Sequence, residues 1–170
     1  MAITIDTTIS GENANSYSTV GEADTYFTGH LYKTAWTSST TKEESLVMAT
    51  RLLDSWVLWK GYRATEDQAL RWPRYDVQDR DGYTYDSDIY PQFLKDATAE
   101  LALYLLQNDP TAEPDSKGYS EMKVDSLMLK IDKSDRDSTT TIPDIVKSMV
   151  EPYGSIRKRG GSKQVKLLRS

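Results

Sequence analysis

Five aspartates crowd residues 76–88 (Asp76, Asp79, Asp81, Asp86 and Asp88), and carboxylates at such density suit a hard cation. Asp79-Arg80-Asp81-Gly82 has the look of part of a calcium loop. The complete loop ends in a bidentate glutamate and lies between two helices, and neither feature is present. Turn carboxylates in solvent, paired with Arg74 or Arg80, are the expected arrangement. His30 is the only histidine and cysteine is absent, so thiolate metal sites, disulfides and cysteine nucleophiles are excluded. A histidine triad or metal site would hang on His30 alone. No G-x-S-x-G, P-loop or dinucleotide glycine pattern occurs. The expectation is a protein without catalysis, metal or cofactor.

The most distinctive stretch is Gln68-Ala69-Leu70-Arg71-Trp72-Pro73-Arg74. The proline biases Trp72 toward extended backbone, with an arginine on either side. An aromatic flanked by cations is what a single-stranded nucleic acid stacks on. In the competing reading Trp72 fills a helical core while the arginines pair with the aspartates downstream. Charge favours the core reading. The chain carries net −5, of which six positive charges lie in the last sixteen residues, so residues 1–154 carry −11. Such a body repels phosphate backbones unless its charge is sharply segregated.

Those six cations (Arg157, Lys158, Arg159, Lys163, Lys166 and Arg169) lie in residues 155–170 without an acid, broken by Gly160 and Gly161. A leftover, a nucleic-acid arm and a docking tail for a protein partner are the three readings of this string. The start of the chain has no basic run followed by an apolar stretch, so no secretory signal is expected. No apolar run approaches the ~20 residues of a membrane span.

The elements that must position these residues are mainly helical. Residues 1–18 read as an extended N-terminal arm. Thr19 and Glu22 have capping-box spacing before a short helix to about His30. A second box, Thr41 and Glu44, opens a stronger helix with Leu46, Ala49, Leu53 and Trp56 on one stripe, widened by Leu52 and Trp59. Gly61 is its expected terminator. Residues 62–90 predict an ordered loop or small hairpin turning at Asp81-Gly82. Pro91 suits the first turn of a third helix, running to Asn108 over Leu94, Ala97, Leu101, Tyr104 and Leu105. Strands at Lys123-Val124 and Leu127–Ile131 form a hairpin near 121–132, and Ile142-Pro143-Asp144 starts a fourth helix through Val150. The fold class is therefore a mainly α bundle of three to four helices, spanning 19–154, with an inserted β-hairpin and extended arms at both ends.

Several of these stretches occur together in one known family. Asn15-Ser16-Tyr17, Glu22-Ala23-Asp24 with Tyr26, Trp72-Pro73-Arg74, Asp81-Gly82 and the Ala97–Leu106 helix resemble tailed-bacteriophage proteins of the head-completion, or head-to-tail adaptor, group. These are often labelled DnaT-like single-stranded-DNA-binding proteins. The likeness covers most of residues 13–108. Ile89-Tyr90-Pro91 departs from it, since the family more usually has Ile directly before Pro. The resemblance implies a structural virion protein of the neck, assembled in the host cytoplasm. It would form a ring of twelve copies between the portal protein and the tail or next connector, with packaged DNA passing through the lumen. No sequence-specific DNA contact and no membrane is implied. On that footing the basic tail reads as a portal-docking segment: Arg157, Lys158, Arg159, Lys163, Lys166 and Arg169 would face an acidic groove. Val165, Leu167 and Leu168 would supply an apolar anchor or an added strand. The alternative is a replication accessory that binds single-stranded DNA through Trp72, Arg71, Arg74 and the tail.

Overall fold

The computed structural model describes residues 3–111, 121–124, 127–130 and 142–157. In chain order its elements are α1 (Val20–Phe27), α2 (Thr34–Ser38), α3 (Lys42–Trp56), β1 (Val57–Trp59), β2 (Tyr62–Arg63), β3 (Arg74–Tyr75), α4 (Gln92–Leu105), β4 (Glu121–Val124), β5 (Leu127–Lys130), α5 (Asp144–Val150) and β6 (Gly154–Ile156). They fall into two units, Met1–Pro110 with Ile142–Ile156, and Thr111–Thr141 with Arg157–Ser170. In the second unit β4 and β5 pair antiparallel from Glu121↔Lys130 to Val124↔Leu127, which is the hairpin expected from the alternating Leu127 and Leu129.

In the first unit α4 is the central helix, with α1, α3 and α5 packed against it. Its sequence explains the position: Leu94, Ala97, Ala99, Leu101, Ala102 and Leu103 leave it apolar on nearly all sides, and all are buried. Small alanines let neighbouring helices approach closely. The opposing stripe on α3 is Leu46, Ala49, Leu52 and Leu53, all buried. The Thr19–Glu22 capping box forms as its spacing predicts, each side chain accepting from the other's backbone N–H. The Thr41 box does not. Thr41 provides no side-chain cap, and its hydroxyl lies 3.2 Å from that of Ser39.

Four further expectations are corrected. The segment read as an N-terminal arm turns back on itself. Asp6 and Asn15 exchange hydrogen bonds, and Ala14, Ser16, Tyr17 and Ser18 are buried. Trp59 does not extend the α3 stripe, because α3 ends at Trp56 and the β-branched Val57 begins a strand. That strand pairs with β6 as Val57↔Ile156, Leu58↔Ser155 and Trp59↔Gly154. A Cβ at Gly154 would stand 2.6 Å from Val57 Cγ1, so only glycine fits there. Gly61 does have positive φ (+64°), but it serves the β1–β2 turn rather than a helix end, with Tyr75 O packed where a Cβ would be. Pro91 is the N-cap of α4, one residue before its first turn, and the helix closes at Leu105.

α2 carries no sequence signal, being five residues without a side-chain cap. Tertiary contacts make it. Trp36 is buried against Phe27 (ring centroids 5.0 Å apart), and its indole N–H donates to Asp24 Oδ1 at 2.7 Å. Lys42 reaches the same oxygen at 2.9 Å. The bonds from Lys42 and then Trp36 hold the Asp24 carboxyl below its ordinary value of 3.8. A depressed carboxylate contributes stability above that value and loses it as pH falls through the folded-state pKa. Asp24→Ala should therefore cost about 1 kcal/mol at pH 7, through the lost charge-assisted bonds from Lys42 and Trp36. In urea melts the difference from wild type should narrow below pH 4. A constant difference across that range would contradict this assignment.

Candidate functional site

The Trp72-Pro73-Arg74 turn is built inward. Trp72 is fully buried, edge-on to Trp59 (5.8 Å) and Phe93 (5.6 Å), with Tyr85 at 6.3 Å. The Trp72–Pro73 peptide is cis, and Pro73 and Arg74 are buried as well. The Arg74 fork reaches three main-chain carbonyls: Nε to Lys60 O at 2.6 Å, Nη2 to Gly61 O at 2.6 Å and Nη1 to Arg71 O at 2.9 Å. Planar donors in a fixed fork suit such a set, which an ammonium could not span. Arg71 alone of this group projects its side chain to solvent.

Behind the turn lies a half-buried carboxylate. Asp54 accepts from the Tyr17 hydroxyl (2.5 Å), the Trp59 indole (3.3 Å) and the Arg71 backbone N–H (3.0 Å). The Tyr17 oxygen in turn accepts from the backbone N–H groups of Arg71 and Trp72. Burial pushes the Asp54 carboxyl above its ordinary range, against the opposing pull of its three donors. Burial, and then the nearby Asp54 charge, raise the Tyr17 phenol well above 10.0. Both groups are committed to each other and to the backbone, which is a structural arrangement.

The expected arginine–aspartate pairs do not form among the described residues. Arg74 is spent on carbonyls, and Arg80 Nη2 reaches Ser148 O at 3.5 Å. Asp79 instead caps its own turn, accepting from the N–H groups of Asp81 and Tyr83, while Gly82 takes φ +91°. Lys60, Asp76, Gln78, Asp79, Arg80 and Pro152 line an open depression of about 340 Å³ that mixes both charge signs. Among the described residues no group of three or more His, Cys, Asp or Glu is placed to hold a metal, and no helix is long and apolar enough to cross a membrane.

Sequence periodicity missed two exposed features. Tyr62 and Tyr75 face each other across β2 and β3, rings 5.5 Å apart and both open to solvent. Lys60 and Arg63, on the same turn and strand, are exposed, as is Asp76, whose charge raises the Tyr62 phenol above its ordinary value. The second feature is the turn between α1 and α2, where Leu31 is 87% and Tyr32 81% exposed. Two adjacent large apolar residues left this open are unusual for an isolated domain. Of the basic tail, Ser155 and Ile156 belong to β6, so the tail proper starts with Arg157, which is exposed. Lys158, Arg159, Lys163, Val165, Lys166, Leu167, Leu168 and Arg169 lie outside the described residues, as do Ile131 and Asp132 beyond the hairpin.

Compared with family models, residues 1–170 match the family described as "Putative DnaT-like ssDNA binding protein". Comparison with curated proteins and with solved structures found no match.

The inward geometry makes Trp72 a core residue in any functional reading. Trp72→Ala should cost ~3–5 kcal/mol, as large-to-small core changes do. Trp72→Phe, which keeps an aromatic ring in place, should cost far less. Denaturant melts and oligonucleotide titrations on the same two variants separate stability from contact. A variant that melts like wild type but loses oligonucleotide binding would make Trp72 a ligand contact instead.

Proposed function

Given that the chain belongs to the DnaT-like ssDNA-binding family, we propose that it is a non-catalytic assembly protein, a head-to-tail adaptor of a tailed-phage virion. Copies of it, twelve by the resemblance, form a ring between the portal and the tail. The observation that carries this reading is the disposition of its aromatic and apolar residues. Trp72 and Arg74, which a single strand would need, are consumed inside the fold. Leu31 and Tyr32 are instead left almost fully exposed on a short, hydrogen-bonded turn. A monomer gains nothing from that exposure, whereas a ring neighbour would cover it. The acidic body also favours a protein partner over nonspecific DNA. The basic tail then docks on the portal, its root fixed by the β1–β6 pairing that ends at Ile156.

One observation favours the family's described activity as a second reading. The Tyr62–Tyr75 pair, with Lys60 and Arg63 beside it, has the aromatic and cationic parts of a single-strand stacking surface. The exposed Asp76 next to Tyr62 opposes a phosphate chain there, which ranks this reading second.

Imaging the purified chain mixed with its portal by negative stain tests the first reading. At the low protein concentrations of negative stain the chain alone should remain mainly monomeric, because its net charge opposes weak self-association, and rings should appear only on portals. Removing residues 158–170, which spares β6, should leave melting unchanged and sharply reduce rings. Leu167→Ser with Leu168→Ser should speed dissociation, while serines at Arg157, Lys158 and Arg159 should slow association. Unimpaired filling of portals by the truncated chain would remove the tail from the reading. Portals left bare by the full chain, together with oligo-dT binding abolished by Tyr62→Ala and Tyr75→Ala, would establish the second reading in its place.

A further inference from the structure

Resting on the ring-subunit reading, we propose that neighbouring copies meet head to tail: the Leu31–Tyr32 tip of one copy docks on the Tyr83–Ile89 face of the next. The tip is held in shape before any partner arrives. Tyr32 N–H donates to His30 Nδ1 at 3.2 Å, so the neutral ring carries its proton on Nε2, which lies 3.4 Å from Glu100 Oε1 on α4. That carboxylate oxygen also accepts from the Tyr26 hydroxyl at 2.8 Å, and the His30 ring sits edge-on to Phe27. Lys33 Nζ closes the far side of the turn on Thr28 O. A turn tied at both ends loses little conformational freedom on docking.

Charge selects the opposing face. Residues 25–41 contain no acid, but include Lys33, in a chain that is net −5, while Lys42 just beyond them is paired with Asp24. A cationic, apolar tip on an acidic protein finds its complement on a second copy of the same protein. Residues 76–90 hold five aspartates against the single Arg80, and among them Tyr83 is 75% and Ile89 38% exposed. This face is also pre-formed. Asp79 N–H donates to Tyr83 O and Tyr85 N–H to Val77 O, while the adjoining Tyr90 is buried. Joined head to tail, with the tip of each copy on the face of the next, the contact is heterologous. Such a contact leaves one free tip and one free face at every stage, and it ends only when a ring closes.

The test uses two full-length variants that spare the buried contacts. The tip variant is Leu31→Ser, Tyr32→Ser, Lys33→Glu. The face variant is Asp81→Lys, Tyr83→Ser, Asp86→Lys, which leaves the turn cap at Asp79 intact. Melting curves first establish that both fold. Sedimentation velocity at high protein concentration should show wild type forming species beyond a dimer, weakened by salt. Each variant alone should be monomeric. Their equimolar mixture should form a heterodimer and stop there, because only one intact tip and one intact face remain to meet. Neither variant alone should complete rings on portals.

Two variants that stay monomeric even when mixed would show that these surfaces do not meet, and would overturn the proposal. Variants that ring portals as wild type does would overturn it too, while leaving the ring reading standing. So would a tip variant that self-associates normally but no longer binds portals, since the tip would then contact the portal. Wild type that never rings a portal would instead remove the reading on which the proposal rests.

Discussion

One half-buried carboxylate sets the geometry of the first unit. Asp54, near the end of α3, gathers the Tyr17 hydroxyl, the Trp59 indole and the Arg71 backbone N–H. These partners come from the N-terminal segment, β1 and the turn before Trp72. Three stretches, around residues 17, 54–59 and 71, are thereby fixed to one point. Burying a carboxylate is unfavourable unless its oxygens are fully used, and here hydrogen bonds to a charged acceptor offset that cost. The group's raised pKa records that burial still outweighs the donors. Its three donors fix the relative placement of the segments that carry them.

From that point the constraints propagate outward in order. With Arg71 and Trp72 held by Asp54 and Tyr17, Arg74 is placed so that its fork reaches back to Lys60 and Gly61. Those carbonyls belong to the tight turn leaving β1, where a side chain larger than hydrogen would collide with Tyr75 O. The turn sets the register of β2 on β3, and the register brings Tyr62 opposite Tyr75. An exposed aromatic pair is thus the last link of a chain that begins in the core. Substituting a surface tyrosine should leave that chain intact, whereas substituting Arg74 should disturb every link beyond it.

The parts legible in the sequence were those decided locally. The α3 and α4 stripes, the Thr19–Glu22 box and the β4–β5 alternation each rest on a period or spacing within a few residues. The parts that were not legible depend on distant partners. α2 exists because Trp36 finds Phe27 and Asp24. Trp59 leaves the helical stripe because β6, nearly a hundred residues later, pairs with β1. Arg74 was expected to seek carboxylates, and the nearest aspartates do flank it in sequence. Its actual partners are carbonyls that only the folded turn presents. The inward place of Trp72 was among the alternatives the sequence allowed, and net charge favoured it. The Leu31–Tyr32 tip gave no signal at all, since exposure of an apolar pair follows from what the rest of the fold leaves uncovered.

That last point bears on function more than the motif does. A stretch such as Trp72-Pro73-Arg74 invites a functional reading because it is distinctive, yet its rings and fork face inward onto Trp59, Phe93 and three carbonyls, with the Trp72 indole N–H left buried and unpaired. Its distinctiveness follows from geometry: few residue types fill a fully enclosed aromatic site and satisfy a fork of carbonyls in consecutive positions. The surface is less constrained, so what it retains is more informative. Leucine and tyrosine side by side, almost wholly in water and braced by the chain's single histidine, are disfavoured in an isolated soluble domain. Keeping them there is reasonable only if some partner removes them from solvent. The same reasoning applies to the segment beyond Arg157, whose cations contrast with a body that carries −11 over residues 1–154. On the proposed reading, the apolar tip and the cationic tail are two separate handles, one for a second copy and one for a portal.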